Sequence, residues 1–145
     1  MRTTNSITFC LLVVVTTSFA QLRAEDWPQF RGPNCAGISV SKQPLATTFS
    51  PTENVAWQAE LGDGIGCPVV AAGRVFVSSM LDDKTVALTG FDAKTGKLLC
   101  QRNWPTGALV EIHKTNSQAA TTPCADADRV YFYFSTLGLI SVDAE

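Results

Sequence analysis

Two stretches of this chain carry nearly the same pattern. PVVAAGRVFV begins at Pro68 and PCADADRVYF at Pro123, and they correspond in order: Pro68 with Pro123, Arg74 with Arg129, Val75 with Val130, Phe76 with Tyr131. The offset is 55 residues (123 − 68). Further on, Phe91-Asp92-Ala93 corresponds to Val142-Asp143-Ala144 at an offset of 51 (143 − 92), the middle turn being shorter in the second copy. Two correspondences in one order, at nearly one period, define a repeated unit of roughly fifty residues, and a repeat constrains architecture more than any single motif does.

The interior of each unit reads as strands. Asp-Ala-Lys-Thr-Gly-Lys, Asp92 to Lys97, has the chemistry of a hairpin turn. Asp92 accepts backbone N–H groups just downstream, and Gly96 supplies a positive φ at the end of the loop. Around it lie Val69-Val70, a turn at Ala72-Gly73, a strand from Arg74 to Ser79, a polar turn DDK, the strand TVALTGFD and the strand KLLCQ. Upstream, Val55, Trp57, Ala59 and Leu61 alternate on one face, which predicts a half-buried strand. No segment holds a helical period with caps at both ends, so the expected class is all-β.

A lone four-stranded sheet has two faces to bury. Like sheets packed around an axis share those faces, and each draws stability from its neighbours. The expected architecture is therefore a partial β-propeller: about two four-stranded antiparallel blades over residues 55–145, preceded by an N-terminal arm, residues 25–54. The alternative for two such units is a two-repeat sandwich. In the arm, EDWPQFRGPNCAGIS is rich in Pro and Gly, with Trp27 and Phe30 as its expected apolar anchors.

Residues 1–24 differ from the rest. Arg2 is followed by an apolar run from Ile7 to Val15 and then by small residues. Ser18-Phe19-Ala20 matches a small-x-small cleavage site and Leu22-Arg23-Ala24 is a weaker alternative, so the pattern predicts a signal peptide cleaved after Ala20 or Ala24. A membrane anchor needs about 20 apolar residues, roughly twice this run. The expected location is periplasmic or secreted, with no membrane span once the leader is removed. Of five cysteines, Cys10 lies in the leader, leaving Cys35, Cys67, Cys100 and Cys124. An oxidising compartment permits disulfides, and four cysteines allow three pairings. None are spaced as Cys-x-x-Cys and the chain has one histidine, which argues against zinc and for mostly buried thiols or a single bridge.

PVVAAGRVFV followed by FDAKTGKLL resembles the repeat of PQQ-like (quinoprotein-type) β-propellers, and DWPQFRGPN with Gly-Ile-Ser, and HKTNS ahead of Ala-Thr-Thr-Pro, resemble secreted bacterial members of that group. The resemblance covers nearly all of the chain after the leader. It implies a tryptophan at the end of each blade's outer strand, packed between blades. Here Cys100 stands at that place, with Trp104 close by to take over the role, and Trp57 precedes the first unit where the last strand of a closing blade would lie. Members of the group have seven or eight blades. A chain of 145 residues is then expected to be an N-terminal fragment, its last strand, Leu139 to Val142, an unprotected edge prone to self-association and poor solubility.

The resemblance implies two functions. One is a non-catalytic extracytoplasmic scaffold or protein-interaction module akin to the propeller lipoprotein of outer-membrane barrel assembly, with periplasmic or cell-envelope proteins as partners. The other is a fragment of a quinoprotein dehydrogenase, which would use PQQ and calcium. The sequence has no adjacent cysteine pair and no calcium-loop pattern, so the scaffold is favoured, and no catalytic, cofactor or metal residue is assigned. Glu111, His113 and Lys114 have acid–base chemistry, yet they lie in a polar loop with no nucleophile near them in sequence, where a turn-stabilising role is expected. Asp82, Asp83, Asp126 and Asp128 fall in turns, which favour aspartate. GDGIG lacks the Lys-Ser/Thr of a phosphate loop. A net charge of −2 with scattered cations excludes a nucleic-acid surface.

Overall fold

The computed structural model describes residues 25–144; the expected signal peptide lies outside them. The described chain is all-β, its helical content a single 3-10 turn at Pro33–Cys35. Four strands, β1 (Val69–Ala71), β2 (Arg74–Asp82), β3 (Thr85–Asp92) and β4 (Leu98–Pro105), form one antiparallel sheet in that order. Three more, β5 (Cys124–Ala125), β6 (Arg129–Phe134) and β7 (Gly138–Asp143), form a second antiparallel sheet, also in chain order. Every connection between sheet neighbours is a tight hairpin, as the Asp- and Gly-containing turns dictate.

The repeat extends to the pairing of individual residues. Val69 pairs with Phe76 in the first sheet, and Cys124 pairs with Tyr131 in the second. Arg74 pairs with Asp92 and Val75 with Phe91; Arg129 pairs with Asp143 and Val130 with Val142. Each pair in the second sheet is the first-sheet pair moved by the two sequence offsets. A slip of one residue would turn every side chain to the other face, so this agreement fixes orientation as well as topology.

The sheets meet through opposite faces. The first contributes Val69, Ala71, Phe76, Met80, Val86 and Leu88 to the shared core. The second contributes Val130, Phe132 and Phe134. Val130 and Phe132 are the counterparts of Val75 and Val77, which point away from the shared core in the first sheet. Conversely, Phe76 is in the core while its counterpart Tyr131 is half-exposed. The core is therefore built head to tail, one face of a unit against the other face of the next. Each fully buried phenylalanine there contributes about 1.5–3 kcal/mol by leaving water.

The arm ties the inner edges of both sheets together. Trp27 exchanges two backbone hydrogen bonds with Val70, 2.8 and 2.9 Å, and the next residue, Pro28, accepts the Ala125 N–H at 2.8 Å. The Trp27 ring lies over Gly32, where a Cβ would come within 2.5 Å of it. Phe30 does not anchor the arm: it is 57% exposed, because the chain turns tightly at Arg31-Gly32 to seat Trp27 alone.

Two further expectations are corrected. Val55 to Leu61 forms no strand, and Val55, Ala59 and Leu61 are exposed. The alternation marks extended backbone, but a strand also needs a ladder partner, and among the described residues this segment has none; it is held by Trp57. The cysteines are not mostly buried and are unbridged. Cys35, Cys67 and Cys124 are exposed and Cys100 is half-buried against the core. Cys35 and Cys67 lie in loops, and Cys124 points to the outer face of β5.

Candidate functional site

At one end of the sheets, three turns are organised by aspartates. Asp92 Oδ1 accepts the Thr95 hydroxyl at 2.6 Å and the N–H groups of Thr95 and Lys94 at 2.8 and 3.2 Å. Those bonds hold its carboxyl below the usual aspartate range, the Thr95 hydroxyl contributing most. In the second unit Asp126 Oδ1 accepts the N–H groups of Arg129 and Asp128 at 2.7 and 2.9 Å, with the same downward effect. Asp26 caps the β1–β2 turn by accepting the Ala72 N–H at 3.0 Å.

Trp57 sits on the first of these turns. Its indole N–H donates to the Ala93 carbonyl at 3.0 Å, and its ring lies 6.0 Å from Phe91, centroid to centroid. Gly96, at φ +71°, presents a bare Cα to the ring, and a Cβ there would come within 2.6 Å of it. The turn motif and the tryptophan thus form one unit, joining the segment before the repeats to the outer face of the first sheet.

GDGIG is a backbone seam. Met80 N–H donates to the Asp63 carbonyl at 2.7 Å, and the N–H groups of Ile65 and Gly66 reach the Ala119 carbonyl at 3.2 and 3.3 Å. The Asp63 carboxylate accepts the Ser117 hydroxyl at 2.7 Å. A Cβ at Gly62 would overlap the Met80 carbonyl oxygen, at 1.7 Å, and one at Gly66 would lie 2.5 Å from that of Thr121. The glycines admit main chain on both sides, stitching the first sheet to the segment that leads into the second. Glycines at every second position of an extended segment were the available signal: one face with no side chains.

The polar side chains weighed from the sequence are dispersed. His113 is exposed and its Nδ1 pairs with the Thr115 hydroxyl at 2.9 Å, while its carbonyl accepts the Asn116 N–H, so it shapes a turn; Glu111 and Lys114 are exposed nearby. Asp82 accepts the Lys84 N–H at 2.8 Å in the β2–β3 turn. That turn is at the opposite end of the strands from Asp126 and Asp128, so these four carboxylates do not converge. Among the described residues no group of three or more His, Cys, Asp or Glu is placed to hold a metal ion. No helix among them is long and apolar enough to cross a membrane.

One concavity was not legible in the sequence. It is a cleft of about 550 Å³ between β4 and the outer edge of β7, lined by Arg102 and Trp104 on one side and by Arg129, Ser141 and Asp143 on the other. Trp104 closes its floor, its ring 5.3 Å from that of Phe132 across the sheet boundary. It therefore sits at the junction between the sheets, and Cys100 also packs half-buried against the core. Arg129 bridges to Asp143 at 3.2 Å and donates to the Ser141 hydroxyl at 2.7 Å. Arg102 is exposed and has no ion-pair partner among the described residues. No model of a known protein family matches the chain, and no curated protein matches it either.

Proposed function

We propose that the chain is a segment of a PQQ-like β-propeller that acts outside the cytoplasm as a non-catalytic scaffold, binding periplasmic or cell-envelope proteins. The observation that carries this reading is the head-to-tail stacking of two sheets with one register. A two-fold sandwich joins like faces and closes on itself; unlike faces generate a series, the arrangement of propeller blades. The reading is supported by the use of the turn aspartates to hold backbone, by Trp57 docked on the Asp92–Gly96 turn, and by Trp104 at the junction between units. Repeats of this kind offer long loop-lined and edge-lined surfaces, suited to binding other proteins.

The test is capture in the compartment the leader implies. The full chain, with its own leader and a C-terminal tag, is expressed in a Gram-negative bacterium and crosslinked before lysis. The expected result is a tag released from the cytoplasm, with a small reproducible set of envelope proteins attached. Retention in the cytoplasm, or dye reduction by the purified chain on adding PQQ and calcium, would overturn it.

A further inference from the structure

The first part of the arm, residues 25–40, is bonded largely to itself. The Glu25 carboxylate accepts the Val40 N–H at 3.0 Å and the Ser39 hydroxyl. Gly37 N–H donates to the Arg31 carbonyl and Gly32 N–H to the Gln29 carbonyl, each at 2.8 Å. The Gln29 side-chain amide returns to the Gly32 carbonyl at 3.2 Å, and the Trp27 ring lies over Gly32. Among the described residues, the hydrogen bonds from this piece to the sheets come from Asp26, Trp27 and Pro28.

The Trp-Pro pair explains how so short a stretch reaches two sheets. A residue ahead of proline is confined to extended backbone, which suits Trp27 to pair with a strand. Both of its backbone groups are taken by Val70. Pro28 has no N–H and has only its carbonyl to offer. That carbonyl turns to the second sheet and accepts the Ala125 N–H, while Asp26 accepts the Ala72 N–H just past β1. The contact is a fork, with one tine on the first strand of each unit. Neither sheet needs it for its own pairing: Val69 and Ala71 pair with Phe76 and Arg74, and Cys124 pairs with Tyr131.

We propose that residues 25–40 form a strap that docks and lifts as one piece, closing the inner edges of β1 and β5 together and exposing them together. The strap is a property of the fold and is independent of what the units bind. The internal bonds carry Asp26, Trp27 and Pro28 as a body, so one opening frees the Val70, Ala72 and Ala125 amides at once. The sheets stay paired as it lifts, because alternate amides of a strand point to opposite edges and those facing β2 and β6 are untouched. Lifting uncovers backbone groups of two units side by side, a template on which an extended segment pairs. Docked, the strap keeps that template closed.

Residue-resolved hydrogen exchange of the full chain by NMR tests this. In the parent chain the Val70, Ala72 and Ala125 amides should share one opening free energy and one shallow urea dependence. The Val69, Ala71 and Cys124 amides, which face the neighbouring strands, should show a steeper one, because more surface is exposed when the sheets themselves open. Trp27→Ala removes the ring over Gly32. It should speed the three edge amides by one common factor, roughly tenfold, and leave the other three unchanged. Faster exchange at Val70 and Ala72 without Ala125 would overturn the proposal, since the two tines would then open separately. Equal speeding of Val69, Ala71 and Cys124 would overturn it too, by making the arm part of the global core. Should Trp27→Ala fail to fold, the urea series on the parent chain decides alone: unlike slopes for Val70 and Ala125 overturn the strap, and a common shallow slope upholds it.

Discussion

The two sheets follow the same pairing rules but treat their faces differently. In the first, β2 and β3 are covered on both faces: Phe76 and Leu88 face the second sheet, while Ala87, Thr89 and Phe91 are buried on the other side, Phe91 against Trp57. In the second, one face is covered and the other is open. Tyr133 is 51% exposed and Leu139 73% exposed, where their first-sheet counterparts Ser78 and Leu88 are 2% and 4% exposed. Identical local structure therefore carries different stability. The difference teaches that in a stacked series the neighbour, and not the sheet, determines how much apolar surface is removed from water.

The largest expected effect tests this directly at one register position. Phe132→Ala removes a ring that is 2% exposed at the junction of the sheets, and should cost about 3–5 kcal/mol. Val77→Ala, at the equivalent position of the first sheet, should cost only about 1–2 kcal/mol, because two methyl groups are lost. Urea denaturation of the full chain, followed by tryptophan fluorescence, reads both. Equal losses would mean that the equivalence of backbone register does not carry the difference in packing described above.

The outer face of the first sheet depends on Trp57. Trp57→Ala should cost about 2–3 kcal/mol, less than a fully buried tryptophan because the ring is half-exposed. Hydrogen exchange should quicken first in the Asp92–Gly96 turn, since the indole N–H is bonded to Ala93 there. A smaller loss should follow Gly96→Ala. Holding alanine at φ +71° costs about 1–2 kcal/mol, and the new methyl displaces the Trp57 ring. If Gly96→Ala costs as much in a Trp57→Ala background as alone, the ring contact contributes nothing and only backbone strain is at work.

Much of this fold is legible in the sequence, and for an identifiable reason. Hairpin turns and strand alternation are local, so Asp92, Gly96 and TVALTGFD announce β3, its turn and the following strand without reference to the rest of the chain. The repeat then transfers that reading to the second unit, down to the pairing of Arg129 with Asp143. What resisted is whatever depends on the opposite partner. Val55 to Leu61 alternates like a strand and lacks a ladder. Cys124 occupies the counterpart of Val69, yet one is exposed and the other fully buried, because only the first sheet has a neighbour on that face. The cleft between β4 and β7 belongs to residues almost forty positions apart, none of which is unusual for a strand (Trp104 and Val142 are 38 apart, 142 − 104).

The smallest effect distinguishes the units by their turns. Asp92 and Asp126 both have carboxyls held below the usual aspartate range by hydrogen bonds, Asp92 chiefly by the Thr95 hydroxyl and Asp126 chiefly by the Arg129 N–H. A carboxyl whose folded value is depressed stabilises the fold above its unfolded value of about 4, and the contribution is lost as pH falls through the folded value. The urea midpoint should therefore stay level from pH 7 to about pH 5 and decline below about pH 4. Asp92→Asn should flatten part of that decline and raise exchange at Lys94 and Thr95. Asp126→Asn should flatten another part and raise it at Asp128 and Arg129. Because each aspartate bonds only within its own unit, the two flattenings should add. A double variant that flattens the decline no more than either single one would place both carboxyls in one coupled network, and the turns would then not be independent copies.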